Sequence, residues 1–315
     1  MLLWLAVFPQ PKHPARADVN LPNGFIVEQL AGGLSSVTAM SIANDGRIFI
    51  AYQAGQIVMV YPGEGQVHIG SVNASPNWER GLDGLILDPN FQSNGYIYVS
   101  YTTTSPFLHQ RISRLTIIGN LILPGSEVVL YEMDESHQNY HLGGGMAFDK
   151  DGTLLVADSG NGRIQRFKVN SSSLTWLASY GTKGTGTGQL QMPTGVSTAS
   201  DGTIWIADTL NNRIQSYNPA TKVWSTPVTK PAGSTRPFAV PWGVTVGPDG
   251  NIWVADTGRA RLVRMTTSGA MIEEVTGASA GTSDFIGPFQ VAFDASGDLF
   301  MSDAWGNRVL RLGWS

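Results

Sequence analysis

Six Asp-Gly-type turns place glycines at Gly46, Gly95, Gly152, Gly202, Gly250 and Gly297, roughly 50 residues apart and each between two apolar runs. That spacing is one four-stranded blade, so the chain is predicted to be an all-β, six-bladed β-propeller. Two further observations agree. The runs LLVA, IWIA, IWVA and LFMS are apolar at consecutive positions, the pattern of strands buried on both faces, whereas a sandwich would alternate. Phe25 to Ala31 (FIVEQLA) reads as a strand ahead of the first copy, and the last copy has only three strands. The N-terminal strand is therefore expected to complete blade six and close the ring.

Composition supports each element in turn. The 37 glycines and 17 prolines, against 14% charged residues, favour short buried strands joined by tight turns over amphipathic helices. Residues 18–315 read as one propeller domain, a length that all-β rings commonly reach. Ahead of it, the apolar run Leu2 to Phe8 and the A-x-A sequence Ala15-Arg16-Ala17 mark residues 1–17 as a signal peptide, and a secreted or periplasmic location follows as the expectation. No later run reaches the roughly 18 apolar residues of a membrane span. A net charge of -4 offers no field to gather phosphates, so nucleic acid is not an expected partner. Without cysteine there are no disulfides, thiolate metal sites or thiol nucleophiles. A monomer that binds a small molecule, a glycan or a partner protein is the expectation.

Propeller topology sorts candidate residues by face. In a four-stranded meander the loop leading into the inner strand and the loop joining the second to the third strand share one axial face, here the upper face, while the Asp-Gly turns lie on the other. The upper face collects Trp78, Glu79 and Arg80 before blade two, His141 before blade three, Gln191 before blade four, Arg236 and Trp242 before blade five, and Phe289 before blade six. Aromatic rings, cations and an imidazole around an axial hollow make a small-ligand pocket.

Asp158, Asp208, Asp256 and Asp303 each sit six residues past the turn glycine, and Arg163, Arg213, Arg261 and Arg308 each follow by five. Such regularity is read as architecture. Each Asp is expected to accept N–H bonds from the tight loop that follows it and to pair with its Arg. Blades one and two carry Tyr52 and Tyr101 instead, so the ring is polar but asymmetric.

Two family resemblances follow from these residues. GTKGTGTGQLQMPTGVSTASDGTIWIADTLNNRIQSY resembles an NHL repeat, and the likeness runs from about residue 141 to 315 in an NHL/TolB-like arrangement. The segments LPNGFIVEQLAGGLSSVTAMSIANDGRIFIAYQAGQI, ERGLDGLILDPNFQSNGYIYVSYTTT and NYHLGGGMAFDKDG resemble the opening blades of soluble glucose and sorbosone dehydrogenases that use pyrroloquinoline quinone (PQQ). His141, with Gly143 and Gly144, matches their H-x-G-G pattern, and the resemblance implies a general base acting with PQQ and calcium. An imidazole near its unperturbed pKa suits that role. Arg236, Arg80 and Tyr101 are the implied cofactor contacts. Arg236-Pro237-Phe238 stands where the family has Arg-Asn-Pro, so the asparagine is absent. A zinc lyase is disfavoured because His68 and His109 fall outside the upper-face loops. A calcium lactonase has only Glu79 and Asn139 as loose ligands, and Glu132, Asp134 and Glu135 read as a solvated loop. A binding propeller and a PQQ-type sugar or alcohol oxidoreductase remain as the two readings.

Overall fold

A computed structural model describes residues 25–34, 36–61, 65–76, 80–105, 107–133, 144–277 and 284–314. It is a six-bladed propeller. Blade one is Val37–Ile42, Ile48–Tyr52, Gln56–Tyr61 and Gly65–Ser71, from the axis outward. Blade two is Leu82–Leu87, Tyr96–Thr103, His109–Ile118 and Val128–Glu132. Blades three to five begin at the inner strands Met146–Phe148, Pro193–Thr198 and Pro241–Val246. Blade six is Pro288–Phe293, Leu299–Asp303 and Arg308–Trp314, and its outer strand is Phe25–Gly32. The closing strand runs antiparallel to Arg308–Trp314, from Phe25 opposite Trp314 to Gly32 opposite Arg308. The first and last parts of the chain thus share one sheet, as the sequence predicted. The signal-peptide reading of residues 1–17 falls outside the described residues.

The second strands Leu154–Asp158, Ile204–Asp208, Ile252–Asp256 and Leu299–Asp303 are buried at every position, which accounts for their unbroken apolar runs. There is no single central core. Apolar clusters lie between successive blades instead: Phe49 and Ile57 meet Leu85 and Ile97 between blades one and two, and Leu262 and Val275 meet Val291 and Leu310 between five and six. Helix is confined, among the described residues, to one turn, Phe91–Asn94, and three short 3-10 turns that follow Asp158, Asp208 and Asp256.

Close approach of the inner strands needs glycine at one register. A Cβ on Gly84, Gly145, Gly195 or Gly243 would fall within 3.0 Å of a carbonyl oxygen on the next blade, respectively Gly144, Thr194, Trp242 and Phe289. Blades one and six depart from this pattern, with Ala39 opposite Ala51 in blade one and Gln290 opposite Ser302 in blade six. The side-chain oxygen of Gln290 accepts the Met40 N–H of blade one. The interface of blades six and one is thus bridged by a side-chain amide. Gly145→Ala should cost about 1–3 kcal/mol by overpacking the interface of blades three and four. A thermal midpoint equal to that of the parent would show that the carbonyl of Thr194 is not pressed against that position.

Candidate functional site

The structural aspartates decide how the upper face is held. Asp208 accepts the backbone N–H of Gln191 at 2.7 Å, Asp256 that of Ala239 at 2.7 Å, and Asp303 those of Ile286 and Gly287 at 3.0 and 2.7 Å. These donors lie on the loop leading into the same blade, not on the loop following the Asp, which corrects the expectation from sequence. The physical reason is geometric. The turn after each Asp, a 3-10 turn in blades three to five, already bonds its backbone internally, for example from the Asn212 N–H to the Thr209 carbonyl, and leaves the carboxylate to the backbone of the incoming chain. The arginines pair as predicted, with Nε to Oδ2 distances of 2.7 Å for Arg163–Asp158, 2.6 Å for Arg213–Asp208 and Arg261–Asp256, and 2.8 Å for Arg308–Asp303. In blades four to six the remaining arginine N–H groups reach carbonyls of the same incoming loop, as Arg213 does with Thr185 and Gln189 and Arg308 with Asp284. Each of the three pairs in blades four to six therefore bolts down the loop that aims the inner strand of its own blade. Burial pushes the Asp256 carboxyl above its ordinary value, against the opposing pull of the Ala239 N–H and Arg261.

Residues after three of these aspartates tie each blade to its neighbour. Ser159 donates to the Pro193 carbonyl, Thr209 to Pro241 at 2.8 Å, and Thr257 to Pro288. In blade six the corresponding residue is Ala304, followed by Trp305.

An axial channel of about 770 Å³ runs between the inner strands. At its upper mouth Trp242 stacks on Phe289, with ring centroids 4.5 Å apart and planes 27° apart. Trp305 meets Phe289 edge-on at 5.7 Å and 70° and is 58% exposed. Asp303 is responsible for this placement. It holds the backbone of Ile286 and Gly287, and the Ala304 N–H returns to the Gly287 carbonyl at 2.8 Å. The indole then lies against Gly287, where a Cβ would meet ring atoms at 2.7–2.8 Å. Gln53, Ser36, Asp83 and Thr194 line the channel on blades one, two and four. Among the described lining residues Asp83 is the one charged group, and none is lysine or arginine.

Of the residues singled out from sequence, Trp242 and Phe289 come together at this mouth. Trp305 was missed. The signal for it was the residue two past the blade-six Asp, a tryptophan where blades three and five have Gly160 and Gly258. Gln191 does not line the channel; it engages Asp208 through its backbone. Arg236 forms an ion pair with Glu274, which also pairs with the fully buried Arg261. Burial raises the Glu274 carboxyl, but bonds from these two arginines outweigh it and leave it below its ordinary value. Arg80 is buried and lies off the channel wall. Tyr101 is buried, its hydroxyl bonded to Glu127 at 2.5 Å, and burial followed by that bond raises its pKa. His109 is buried against the Phe107 carbonyl and Glu132. Trp78, Glu79 and His141 lie outside the described residues, as do Asp134, Glu135, His137 and Asn139. Among the described residues no cluster of three or more histidines or carboxylates could hold a metal ion.

Residues 34–175 match the glucose/sorbosone dehydrogenase family model, and residues 190–217 and 238–265 match the NHL repeat. The two-part resemblance drawn from sequence is borne out. The chain is 30% identical over 156 residues to the Hedgehog-interacting protein of Homo sapiens; the match takes in 42% of this chain and only 22% of that protein. The chain thus spans about a fifth of the length of the curated relatives it matches. Among solved structures, the PQQ-bound aldose sugar dehydrogenase of Streptomyces coelicolor superposes with a TM-score of 0.67 at 18% identity, covering 94% of this chain and 100% of that one. Virginiamycin B lyase of Staphylococcus aureus gives 0.60 at 16% identity, covering 92% and 100%. At these identities the likeness concerns the fold, which is shared by a dehydrogenase and a lyase.

Proposed function

We propose that the chain is a recognition propeller that binds its ligand at the upper mouth of the axial channel. The observation that carries this reading is the convergence of Trp242, Phe289 and Trp305 from two blades on a wall whose other described residues are neutral or acidic. Aromatic rings at a water boundary supply rigid contact area at little entropic cost, and a channel behind them admits a projecting group. The likeness to a Hedgehog-interacting protein supports a protein as the partner and a secreted or periplasmic location.

The family match over residues 34–175 favours a second reading, a PQQ- and calcium-dependent sugar or alcohol oxidoreductase with His141 as base. PQQ carries three carboxylates, so its site needs cations. The described wall offers the carboxylate of Asp83, Arg236 is committed to Glu274, and Arg80 is off the wall. The described residues therefore do not fit PQQ. Calorimetry with PQQ and calcium, at cofactor concentrations up to about a hundred micromolar, should give no stoichiometric heat, and an aldose should reduce no dye. Stoichiometric binding, with turnover abolished in His141→Asn, would replace the recognition reading by the oxidoreductase.

A further inference from the structure

The turn after each buried aspartate recurs at one position of the repeat, so on blades three to six it stands at one height on the upper rim. Two residues past the Asp come, in order, Gly160, Leu210, Gly258 and Trp305. Leu210 is 50% exposed and Trp305 58%, yet both turns are fixed through backbone: the Leu210 N–H donates to the Gln191 carbonyl at 3.1 Å, and the Ala304 N–H to Gly287. Where the repeat has glycine, a cation occupies the rim. Arg259 follows Gly258 and is exposed, and the exposed Lys183 places its amine 3.4 Å from the Gly160 carbonyl. Blades three to six thus present a cation, an aliphatic tip, a cation and an indole. Ile286, next to the Gly287 that the indole covers, and Phe107 on blade two are further exposed apolar tips of this face.

The positive charge is local, since the whole chain carries -4. Asp158, Asp208 and Asp256 are buried and matched by Arg163, Arg213 and Arg261, and Glu274 is held between Arg236 and Arg261. Among the described rim residues of blades three to five, Lys183 and Arg259 are therefore in excess. On the rest of the face, Glu132 pairs with Arg111 on blade two, and Asp284 is an exposed carboxylate before blade six. Leu210 and Trp305 stand two blades apart with Arg259 between them, so the tips do not merge into the central cluster that anchors a protein partner. Separate tips at one height suit a flat surface that yields locally. Apolar and indole groups gain by entering the headgroup boundary of a bilayer, and cations between them gain from anionic headgroups.

Beyond the ligand at the mouth, we propose that the upper rim docks on an anionic lipid bilayer, with Leu210, Ile286 and Trp305 entering the headgroup layer and Lys183 and Arg259 facing its phosphates. Flotation of the full chain with vesicles of phosphatidylcholine, alone or with about a third phosphatidylglycerol, tests this. Binding should be at least about tenfold tighter to the anionic vesicles and should weaken as salt rises from about 0.1 to 0.5 M. Lys183→Glu combined with Arg259→Glu should abolish the preference for anionic lipid. Leu210→Ser, which lies off the channel wall, and Trp305→Ser should each weaken binding by about tenfold, with melting curves unchanged. Brominated acyl chains should quench tryptophan emission in the parent and in Trp176→Phe, whose exposed indole stands on the outer strand of blade three, but not in Trp305→Phe. Equal binding to both vesicles, or quenching that survives Trp305→Phe, would overturn the inference. So would an absence of binding at about 5 mM lipid, which would leave the rim to a protein partner.

Discussion

A chain beginning at Leu34 should melt roughly 6–12 °C below the parent and aggregate on standing, because it lacks the outer strand of blade six. Phe25–Gly32 pairs with Arg308–Trp314 along seven registered positions. Its removal turns a closed blade into an open edge beside Val309, Leu310 and Leu312, which are buried in the intact ring. Ala31 leaves the cluster that joins blades six and one, while Leu34 stays on the chain but loses the strand that precedes it. Loss of contact on this scale is worth on the order of 3 kcal/mol. A peptide spanning residues 20–34, added in trans, should restore part of the midpoint by reoccupying the edge. A truncated chain that melts within about two degrees of the parent would show that this strand is not what closes the ring.

Arg261→Met should destabilise the propeller by about 3–5 kcal/mol. Arg261 is fully buried and joins Asp256, itself fully buried, to Glu274 and to the carbonyls of Arg236 and Pro237. Removing the cation leaves Asp256 charged in a low-dielectric interior with the Ala239 N–H still bound to it. Arg264→Met is the matched control. Arg264 is partly exposed on the same strand, pairs with Asp249 and Glu273, and should cost less than about 1 kcal/mol. The deficit also has a sign in pH. Burial already raises the Asp256 carboxyl, and without Arg261 it rises further, so the native state is penalised above the folded pKa and relieved as pH falls through it. The gap in stability between variant and parent should therefore narrow on acidification, measured by denaturant unfolding at a series of pH values. A gap that stays constant or widens would place the cost in lost packing instead of an uncompensated charge.

The ring and its seam were legible in the sequence for a plain reason. Turn chemistry and strand burial are local: Gly152, Gly202, Gly250 and Gly297 all adopt the positive φ that Asp-Gly-type turns require, and the second strands that follow them are buried at every position. The glycine register was equally visible in GMAF, GVST and GVTV, but its purpose was not. Only the packed ring shows that these glycines touch the carbonyls of the next blade and that Gln290, heading the fourth copy, bridges to Met40. The target of the Asp carboxylates was misassigned for a related reason. Sequence neighbours favoured the loop that follows each Asp, while the propeller brings in a loop 16 or 17 residues earlier.

Site residues divide along the same line. Sequence by itself determined the class of fold, the number of blades, the strand that closes the ring, and the face on which Trp242 and Phe289 stand, because each depends on period, burial pattern or chain direction; the structure sets both residues at the start of inner strands, not on the loops before them. Tertiary structure alone decided that Trp242 and Phe289 stack, that Trp305 joins them over Gly287, and that Arg236 turns to Glu274 instead of the channel. Those outcomes depend on where a side chain finds a partner across blades, and no spacing along one strand encodes which of several nearby charges or rings it will meet.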